Sequence, residues 1–277
     1  MTIREALLDA SHRLELQRVP HPRRCAEVLF SHFLNVDKTY LYSHDDEPLP
    51  PAICEKIENA IGERISGVPV QYIVGHQEFY GRDFLVNPSV LIPRPETEHI
   101  IEAVLETGHS PNTRIIDVGT GSGCIGTTLA LELPHSSVFA ADISEAALQT
   151  AKQNAQRLGA CVAFVCMDVL DAVSDHFDFV VSNPPYVPRR DAGSLQREVR
   201  DHEPHVALFD PGDDLAIYRR LIQSAINLLK PGGRLIMEIG FAMEESVLSL
   251  IDGSWNALPT RRDLQGIPRA VVAQKPL

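Results

Sequence analysis

Residues 113–123 read Thr113-Arg114-Ile115-Ile116-Asp117-Val118-Gly119-Thr120-Gly121-Ser122-Gly123. The β-branched first half predicts a short buried strand, and the alternating glycines predict a tight loop before a helix that begins near Cys124. A glycine loop in this place lets a ligand approach the backbone closely, at the positive end of the helix. The stretch therefore predicts an α/β fold whose open sheet binds a ligand at the carboxyl ends of its strands.

Acidic residues follow the next two predicted strands. Strand 137–141 ends in Asp142, and strand 162–166 ends near Asp168. A carboxylate at the tip of the second strand can accept hydrogen bonds from both hydroxyls of a ribose. One at the tip of the third strand can accept from the exocyclic amine of an adenine. Each acid alone is commonly a surface residue or a helix cap, but their joint spacing is typical of consecutive βα units.

A proline-rich tetrapeptide, Asn183-Pro184-Pro185-Tyr186, follows the apolar run 177–181. Two successive prolines remove two backbone donors, and a residue before a proline is held extended, so the backbone here is stiff. The Asn183 side-chain oxygen and the Pro184 carbonyl match the two hydrogens of a planar NH2 group on an amide or a nucleobase, and Tyr186 can pack on that plane. The alternative is a plain proline turn at a strand end.

The four strand ends together favour one cofactor. A glycine loop alone matches dinucleotide sites nearly as well as sites for S-adenosylmethionine. A nicotinamide dinucleotide would account for the loop and for Asp142, but it leaves the tetrapeptide unexplained, and no Lys or His stands out as a partner for hydride transfer. S-adenosylmethionine accounts for all four strand ends. The sequence therefore predicts S-adenosylmethionine as cofactor, with S-adenosylhomocysteine as its product.

Composition narrows the class of protein. The chain has 277 residues, 44% of them hydrophobic, which suffices for one large or two ordinary domains. Its formal net charge is -12, and its basic residues cluster in nothing longer than pairs. Because tight binding to bare nucleic acid needs clustered positive charge, direct nucleic-acid binding is disfavoured.

Cysteine and histidine usage argues against a metal site. The 5 cysteines include no C-x-x-C pair, and the 11 histidines lack the H-E-x-x-H spacing of a zinc site. The cysteines are interpreted as reduced packing residues of a cytoplasmic protein, and no metal is expected. The start of the chain lacks the plan of a signal peptide, and no apolar run approaches the length of a membrane span, so no membrane association is expected.

The first third of the chain predicts a small helical domain. Apolar residues recur every three or four positions in 2–16, 23–34 and 51–65, which is the pattern of helices with one buried face. This domain is interpreted either as a packing module or as a platform that recognises a macromolecular substrate. Segments 71–75 and 79–86 then alternate and break at glycines, which predicts a β-hairpin connector.

A second proline-rich segment, Pro93-Arg94-Pro95-Glu96-Thr97-Glu98, follows the hairpin and precedes an apolar helix. Thr97 or Glu96 is placed to cap the first turn of that helix, because both side chains can accept hydrogen bonds from backbone N–H groups. Capping is therefore the expected role of this segment.

Several further segments match a known family. They extend over nearly the whole chain and include Gln71-Tyr72-Ile73, Phe79-Tyr80-Gly81, Leu91-Ile92-Pro93-Arg94-Pro95-Glu96-Thr97-Glu98, Asp142-Ile143-Ser144, Glu203-Pro204, Ala207-Leu208-Phe209 and Glu238-Ile239-Gly240. With the glycine loop and Asn183 to Tyr186, they make the chain resemble the protein-(glutamine-N5) methyltransferases that modify class 1 peptide-chain release factors. The glycine loop and the tetrapeptide are shared with other amino methyltransferases, whereas segments 92–98 and 203–208 are more specific.

The resemblance implies a fold and a division of the chain. It implies a class I S-adenosylmethionine-dependent methyltransferase, which is an α/β, Rossmann-like fold with a seven-stranded sheet whose last strand is antiparallel. A small helical domain and a β-hairpin linker precede it. The expected boundaries are 1–70 for the helical domain, with substrate recognition as its role, 71–92 for the linker and 93–277 for the methyltransferase domain.

The resemblance also implies roles for particular residues. The residues expected at the methionine end of the cofactor are Gly119, Thr120, Gly121, Ser122 and Gly123. Asp142 is expected at the ribose, and Asp168 and Val169 are expected at the adenine. Asn183 is expected to contact the cofactor as well as the substrate. Val169 stands where the family often has an aromatic residue, so stacking on the adenine is expected to be weaker here.

The expected reaction is methyl transfer to the side-chain nitrogen of the glutamine in the Gly-Gly-Gln motif of class 1 release factors. The tetrapeptide Asn183, Pro184, Pro185 and Tyr186 is expected to grip that glutamine, with Asn183, Pro184 and Tyr186 as catalytic residues and with no general base. Hydrogen bonds to the two oxygens would position the amide and stabilise developing charge. A monomer is expected. The alternatives are an N6-adenine methyltransferase acting on DNA or RNA, and a scaffold that binds the cofactor without catalysis.

Overall fold

The computed structural model describes residues 1–108, 112–171, 176–210 and 212–277, and the chain divides into two compact units. One, the helical unit, comprises Met1–His76 together with Leu195–His202. The other, the sheet unit, comprises Gln77–Ser194 and Glu203–Leu277. Within the described ranges, no helix is both long and apolar enough to cross a membrane.

The elements are numbered in chain order. The helices are α1 (Ile3–Leu16), α2 (Pro22–Leu34), α3 (Lys38–Ser43), α4 (Pro51–Ser66), α5 (Val70–Val74), α6 (Glu98–Leu105), α7 (Cys124–Glu132), α8 (Glu145–Leu158), α9 (Arg197–His202), α10 (His205–Leu208), α11 (Ala216–Leu228) and α12 (Glu244–Leu248). The strands are β1 (His76–Phe79), β2 (Arg82–Leu85), β3 (Arg114–Val118), β4 (Ser137–Asp142), β5 (Val162–Cys166), β6 (Phe177–Ser182), β7 (Leu229–Glu238), β8 (Asn256–Arg262) and β9 (Pro268–Gln274).

Helix α1 confirms the first predicted helix. Thr2 Oγ1 accepts a hydrogen bond from the backbone N–H of Glu5 at 3.2 Å, and the Glu5 carboxylate accepts one from the backbone N–H of Thr2 at 2.8 Å. This capping box satisfies two N–H groups that the first helical turn leaves without partners. The predicted apolar face is buried and consists of Ile3, Ala6, Leu7, Ala10 and Leu14. Helices α2 and α4 confirm the other two predicted helices.

The predicted hairpin is partly wrong. Residues 79–86 do contribute to a hairpin of β1 and β2, whose turn residues Tyr80 and Gly81 have φ of 51° and 70°, as a tight two-residue turn requires. The preceding segment is not a strand, however, but the single-turn helix α5. Pro69 stands at its start, and Gly75, with φ of 81°, ends it in the left-handed region. Five residues are too few for periodicity to separate helix from strand.

Helix α9 joins the helical unit from far along the chain. Arg64 on α4 forms an ion pair with Glu198 on α9, and its guanidinium also donates to the Val68 carbonyl at 3.1 Å. The Arg64 side chain is 4% exposed, so these partners compensate for the loss of water around the guanidinium. The sequence did not predict this addition, because 195–202 carries no signal that relates it to the N-terminal residues.

The sheet unit contains a seven-stranded sheet of order β5-β4-β3-β6-β7-β9-β8 within the described residues, which confirms the predicted fold. Strand β9 runs antiparallel to both neighbours, and the other pairs are parallel. Val118 at the end of β3 is in register with Ser182 at the end of β6, and Asp142 at the end of β4 with Cys166 of β5. The carboxyl ends of these strands therefore meet at one edge, where the strand order reverses and open α/β sheets bind ligands.

The sheet is covered on both faces. Ile116 packs on one side with Tyr218, Leu221 and other residues of α11, while Ile115 packs on the other side with residues of α6 and α7. Successive residues of a strand point to opposite faces, so the adjacent buried residues Ile115 and Ile116 fit a strand that is buried on both faces. Burial on both sides holds the strand ends in fixed positions.

Candidate active site

A cavity of about 540 Å3 lies at the carboxyl edge of the sheet, between the loops that follow β3, β4, β5 and β6. Many of its lining residues were predicted from the sequence: Gly119, Thr120, Gly121, Ser122, Asp142, Asp168, Val169, Asn183, Pro184 and Pro185. Two other residues that the sequence predicted for the site, Gly123 and Tyr186, are not among the described residues that line this cavity. Other lining residues were not expected at the site from the sequence, and they include Arg94, Thr97, Ile143, Met167, Arg189 and Arg220.

Asp142 fastens the glycine loop to helix α8. One carboxylate oxygen accepts from the backbone N–H of Gly121 at 2.9 Å, and the other accepts from the backbone N–H of Ser144 at 2.9 Å. Burial raises the pKa of Asp142, while these backbone hydrogen bonds oppose the rise. A carboxylate offers about four acceptor positions, so Asp142 retains capacity for donors from a ligand.

Asp117, at the end of β3, holds the same glycine loop through hydrogen bonds of its own. Its side chain is fully buried, and one carboxylate oxygen accepts from the Thr120 hydroxyl at 2.5 Å and from the backbone N–H of Gly126 at 2.9 Å. The other oxygen has no hydrogen-bond partner in the described part of the chain. Burial raises the pKa of Asp117 to about 7. The charged form is disfavoured because apolar surroundings replace water.

Gly123 lies behind the loop and lets two helices approach. Its φ is 81°, and a Cβ at this position would lie 2.9 Å from the Cβ of Ala151 on α8. Its position is therefore explained by packing and by the left-handed backbone at the start of α7.

The cavity wall formed by the loops after β4 and β5 combines apolar residues with an ion pair. Ile143 and Val169 both line the cavity. Val169 is buried, and its backbone is in the left-handed region with φ of 52°. Asp168 forms an ion pair with Arg220 of α11 at 2.9 Å, and both residues line the cavity. The sequence identified Asp168 and Val169 but not Arg220, because no local pattern relates α11 to the loop after β5.

The two clamp oxygens, which are Asn183 Oδ1 and the Pro184 carbonyl, belong to residues that line the cavity. Asn183 uses its Nδ2 to donate to Thr97 Oγ1 at 3.1 Å. Neither clamp oxygen accepts a hydrogen bond from any described residue. The pair is therefore available to a donor that enters from outside the chain.

Thr97 does not act as the predicted helix cap. No side-chain cap is present at the start of α6; instead the Thr97 hydroxyl donates to Glu238 Oε2 at 2.6 Å. Thr97 and Glu238 are each 2% exposed. Burial raises the pKa of Glu238 to about 7.

Tyr186 belongs to the same group of side chains. Its hydroxyl donates to Glu238 Oε1 at 3.4 Å, and its ring packs on Gly240, where a Cβ would lie 2.9 Å from the ring. Burial beside Glu238 raises the pKa of Tyr186 well above its usual range. The ring lines a second depression of about 410 Å3, together with the exposed Phe241.

Glu203 connects the two more specific segments, 92–98 and 203–208, through hydrogen bonds. This buried carboxylate accepts from the backbone N–H of Ile92 at 3.2 Å and forms an ion pair with Arg94. Arg94 lines the cavity, so Glu203 fixes one of its walls. The sequence indicates no role for Arg94 or Glu203, since they lie 109 positions apart.

Comparison with solved structures supports the fold. The chain is similar to a methyltransferase from Pyrococcus furiosus, with a TM-score of 0.52 and 17% identity, covering 79% of this chain and 100% of that one. It is also similar to a ribosomal protein L11 methylase from Lactobacillus delbrueckii subsp. bulgaricus, with a TM-score of 0.50 and 19% identity, covering 73% of this chain and 89% of that one. At such identities the likeness shows the fold alone.

Comparison with family models and curated proteins is more specific. Residues 5–75 match the model of the PrmC N-terminal domain, and residues 97–199 match that of the methyltransferase small domain. A release factor glutamine methyltransferase from Koribacter versatilis is 47% identical, covering 100% of this chain and 99% of that protein. One from Nitratidesulfovibrio vulgaris is 41% identical, covering 100% and 96%. The chain therefore belongs to the release factor glutamine methyltransferase family.

Proposed function

We propose that this protein transfers a methyl group from S-adenosylmethionine to the side-chain nitrogen of the glutamine in the Gly-Gly-Gln motif of class 1 peptide-chain release factors. Family membership supports the substrate class, since the similar curated proteins are named release factor glutamine methyltransferases. The observation that supports the chemistry is the pair of acceptors, Asn183 Oδ1 and the Pro184 carbonyl, which have no donor among the described residues and belong to the cavity wall.

The cavity suits an adenosyl cofactor. Its volume of about 540 Å3 lies within the usual range of small-molecule sites, roughly 300 to 1,000 Å3. The spare acceptor positions of Asp142 suit ribose hydroxyls, and Ile143 and Val169 supply apolar contacts for the adenine. Asp168 would accept from the adenine amine, and the backbone at Gly119 to Ser122 would hold the methionine end. When bound, the cofactor supplies an electrophilic methyl group on a sulfonium.

The chain's own residues must overcome the low reactivity of an amide nitrogen. Its lone pair is shared with the carbonyl, and the rotation barrier of a peptide bond, about 18 to 20 kcal/mol, shows how strong that sharing is. Hydrogen bonds from the glutamine NH2 group to Asn183 Oδ1 and the Pro184 carbonyl would fix the nitrogen in place and stabilise positive charge as it develops there. The nitrogen gains a methyl group and loses one proton to water. Tyr186 would close the clamp on the side of β7 and keep water away.

The helical unit would recognise the protein substrate. It matches the PrmC N-terminal domain model over residues 5–75. A net charge of -12 would favour a partner with basic segments and oppose direct binding to nucleic acid.

Mass spectrometry tests the proposed function. The protein is incubated with S-adenosylmethionine and a class 1 release factor whose Gly-Gly-Gln glutamine is intact or replaced by glutamate. One added methyl group is expected on the intact peptide and none on the replaced one. A DNA oligonucleotide and an RNA oligonucleotide rich in adenine serve as further substrates and should stay unmodified. Methylation of either oligonucleotide, or of the replaced release factor at another residue, would contradict the assignment.

A further inference from the structure

A chain of hydrogen bonds, one buried and two part-buried, leads from the clamp into the protein. Asn183, after β6, donates to Thr97, which immediately precedes α6. Thr97 donates to Glu238, at the end of β7, and Tyr186 donates to the other oxygen of the same carboxylate. Three separate parts of the sheet unit are thereby connected through side chains. In this relay the distance is 3.1 Å from Asn183 to Thr97, 2.6 Å from Thr97 to Glu238 and 3.4 Å from Tyr186 to Glu238.

The direction of the relay follows from its donors and acceptors. An ionised carboxylate only accepts, so Thr97 must donate its single hydroxyl proton to Glu238. The Thr97 oxygen is then left to accept, and the Asn183 amide must turn its Nδ2 toward it. This orientation leaves Oδ1 for the substrate. The ionised carboxylate of Glu238 therefore determines which end of the Asn183 amide is offered to the glutamine.

The opposite orientation of the amide would be unproductive. With the Asn183 side chain turned over, Oδ1 would meet the lone pairs of Thr97 and Nδ2 would meet the NH2 group of the glutamine. Two acceptors would then face each other, and so would two donors. A buried polar group without a partner costs more than a typical hydrogen bond contributes, so the relay selects the productive orientation.

We propose that Thr97 and Glu238 are positioning residues that orient the Asn183 amide for transfer to the substrate nitrogen. The inference rests on the proposed function, because orientation matters only if Asn183 Oδ1 accepts from an NH2 group. It assigns to Thr97 a role other than capping. It also gives the buried carboxylate of Glu238 an indirect role, since Glu238 acts on the substrate amide through Thr97 and Asn183.

Protonation of Glu238 would remove this control. A protonated carboxyl group can donate to Thr97, whose hydroxyl can then donate to Asn183 Oδ1 and turn the amide over. Burial raises the pKa of Glu238 to about 7, so both forms are accessible near neutral pH. The titratable or charged groups that act on Glu238 or on its hydrogen-bond partners come from several elements: Arg94, Glu96, Cys124, Tyr186, Tyr218 and Arg269.

Kinetics of three threonine variants test the proposal. Thr97→Val keeps the shape and removes the hydroxyl, Thr97→Ser keeps the hydroxyl, and Thr128→Val removes another buried hydroxyl, which has no partner in the described part of the chain. For Thr97→Val we expect kcat to fall about tenfold to a hundredfold with little change in KM for the release factor. Thr97→Ser and Thr128→Val should stay near wild type. Full kcat in Thr97→Val, or equal losses in Thr97→Ser, would overturn the proposal.

A pH profile of Glu238→Gln supplies a readout that loss of structure would not mimic. In the wild type, kcat should fall as pH drops below about 7, the pKa of Glu238. A neutral glutamine can accept from Thr97 at any pH, so this limb should be lost in Glu238→Gln. Retention of the same limb in the variant would overturn the role of Glu238.

A measurement that needs no turnover separates this inference from the proposed function. The side-chain NH2 signals of Asn183 are assigned by NMR through their loss in Asn183→Ala, in the presence of S-adenosylhomocysteine. They should shift and exchange faster with solvent in Thr97→Val, but not in Thr128→Val. If the signals are unchanged in Thr97→Val, the relay is wrong, whatever the substrate. If they change but the wild type does not methylate a release factor, only the proposed function fails.

Discussion

At the scale of single residues, Asn183 supplies the one clamp acceptor that a substitution can remove, because the other is the backbone carbonyl of Pro184. Asn183→Ala deletes one of two preorganised acceptors while the Pro184 carbonyl stays. We expect turnover on a release factor to fall by roughly 10²- to 10³-fold, the usual effect of losing one such group. The affinity for S-adenosylhomocysteine, measured by calorimetry, should stay within a few-fold. Near-normal turnover in this variant would mean that Asn183 Oδ1 does not activate the glutamine.

Asp142 should behave in the opposite way. Asp142→Ala removes the acceptor proposed for the ribose and also the carboxylate that holds the backbone of Gly121 and Ser144. Calorimetry should show an affinity for S-adenosylhomocysteine lowered by about tenfold or more, while kcat at saturating cofactor changes less. Glu145→Gln, which neutralises the exposed neighbouring acid of α8, is the control and should bind normally. Equal losses in both variants would point to general electrostatics instead of a specific acceptor.

The chemistry of single residues could be predicted where it depends on neighbours in sequence. Asn183 and Pro184 were recognisable because consecutive prolines determine the local backbone. Thr97 was misinterpreted as a cap because a threonine before a helix usually is one. Its actual partner, Glu238, is 141 positions away, and no local pattern could reveal the pair.

At the scale of elements, the contact between α7 and α8 depends on Gly123. Gly123→Ala would place a Cβ at 2.9 Å from Ala151 Cβ and impose a left-handed φ of 81° on a residue with a side chain. The expected loss in the free energy of unfolding is about 2 to 4 kcal/mol, from strain of about 1 to 2 kcal/mol and from overpacking of similar size. Urea denaturation measures it.

Two controls separate the causes of that loss. Gly159→Ala has a similar φ of 74° with nothing within 4 Å of the new Cβ, so it should show the strain alone. Ala151→Gly combined with Gly123→Ala removes the shortest contact, at 2.9 Å to Ala151 Cβ, and leaves the one at 3.1 Å to Ala151 Cα, so it should recover part of the stability. A loss in Gly159→Ala equal to that in Gly123→Ala would show that the close approach of the helices is unimportant.

Elements were predicted well where their pattern is long or their turn chemistry is specific. The helices α1, α2 and α4 and the strands β3, β4, β5 and β6 fall into this class. The sequence did not distinguish helix α5 from a strand, because Gln71-Tyr72-Ile73-Val74 is short and rich in residues that favour strands. Pro69 and Gly75 decide the outcome, since they begin and end a single helical turn.

At the scale of the whole molecule, the order of strands and helices along the chain predicts the fold of the sheet unit. It does not predict which residues belong to the helical unit. Consecutive βα units determine the parallel part of the sheet, because crossovers of one hand leave few topologies. The ion pair of Arg64 with Glu198, by contrast, joins residues 134 positions apart. Sequence periodicity describes one element at a time, and it cannot show that α9 belongs with residues near the start of the chain.

The pH dependence of stability should carry the signature of two buried carboxyl groups. Burial raises the pKa of both Asp117 and Glu238 to about 7, from ordinary values of 3.8 and 4.5. Between those values and about 7, the folded state holds protons that the unfolded state has lost. The free energy of unfolding should therefore fall as pH rises through this window, and the contribution should be constant above and below it.

Variants isolate this effect from the remaining acids of the chain. Asp117→Asn and Glu238→Gln cannot ionise, so each should flatten the decline in stability between about pH 4.5 and 7. Asp252→Asn, at an exposed acid whose pKa is lowered by hydrogen bonds to Ser254, should leave that window unchanged. Asp252→Asn should change the free energy of unfolding only at lower pH, because a carboxyl group of lowered pKa loses its stabilising contribution as pH falls. Urea denaturation across the pH series decides the matter: parallel curves for the wild type and both buried-site variants would show that these carboxyl groups ionise normally in the folded protein.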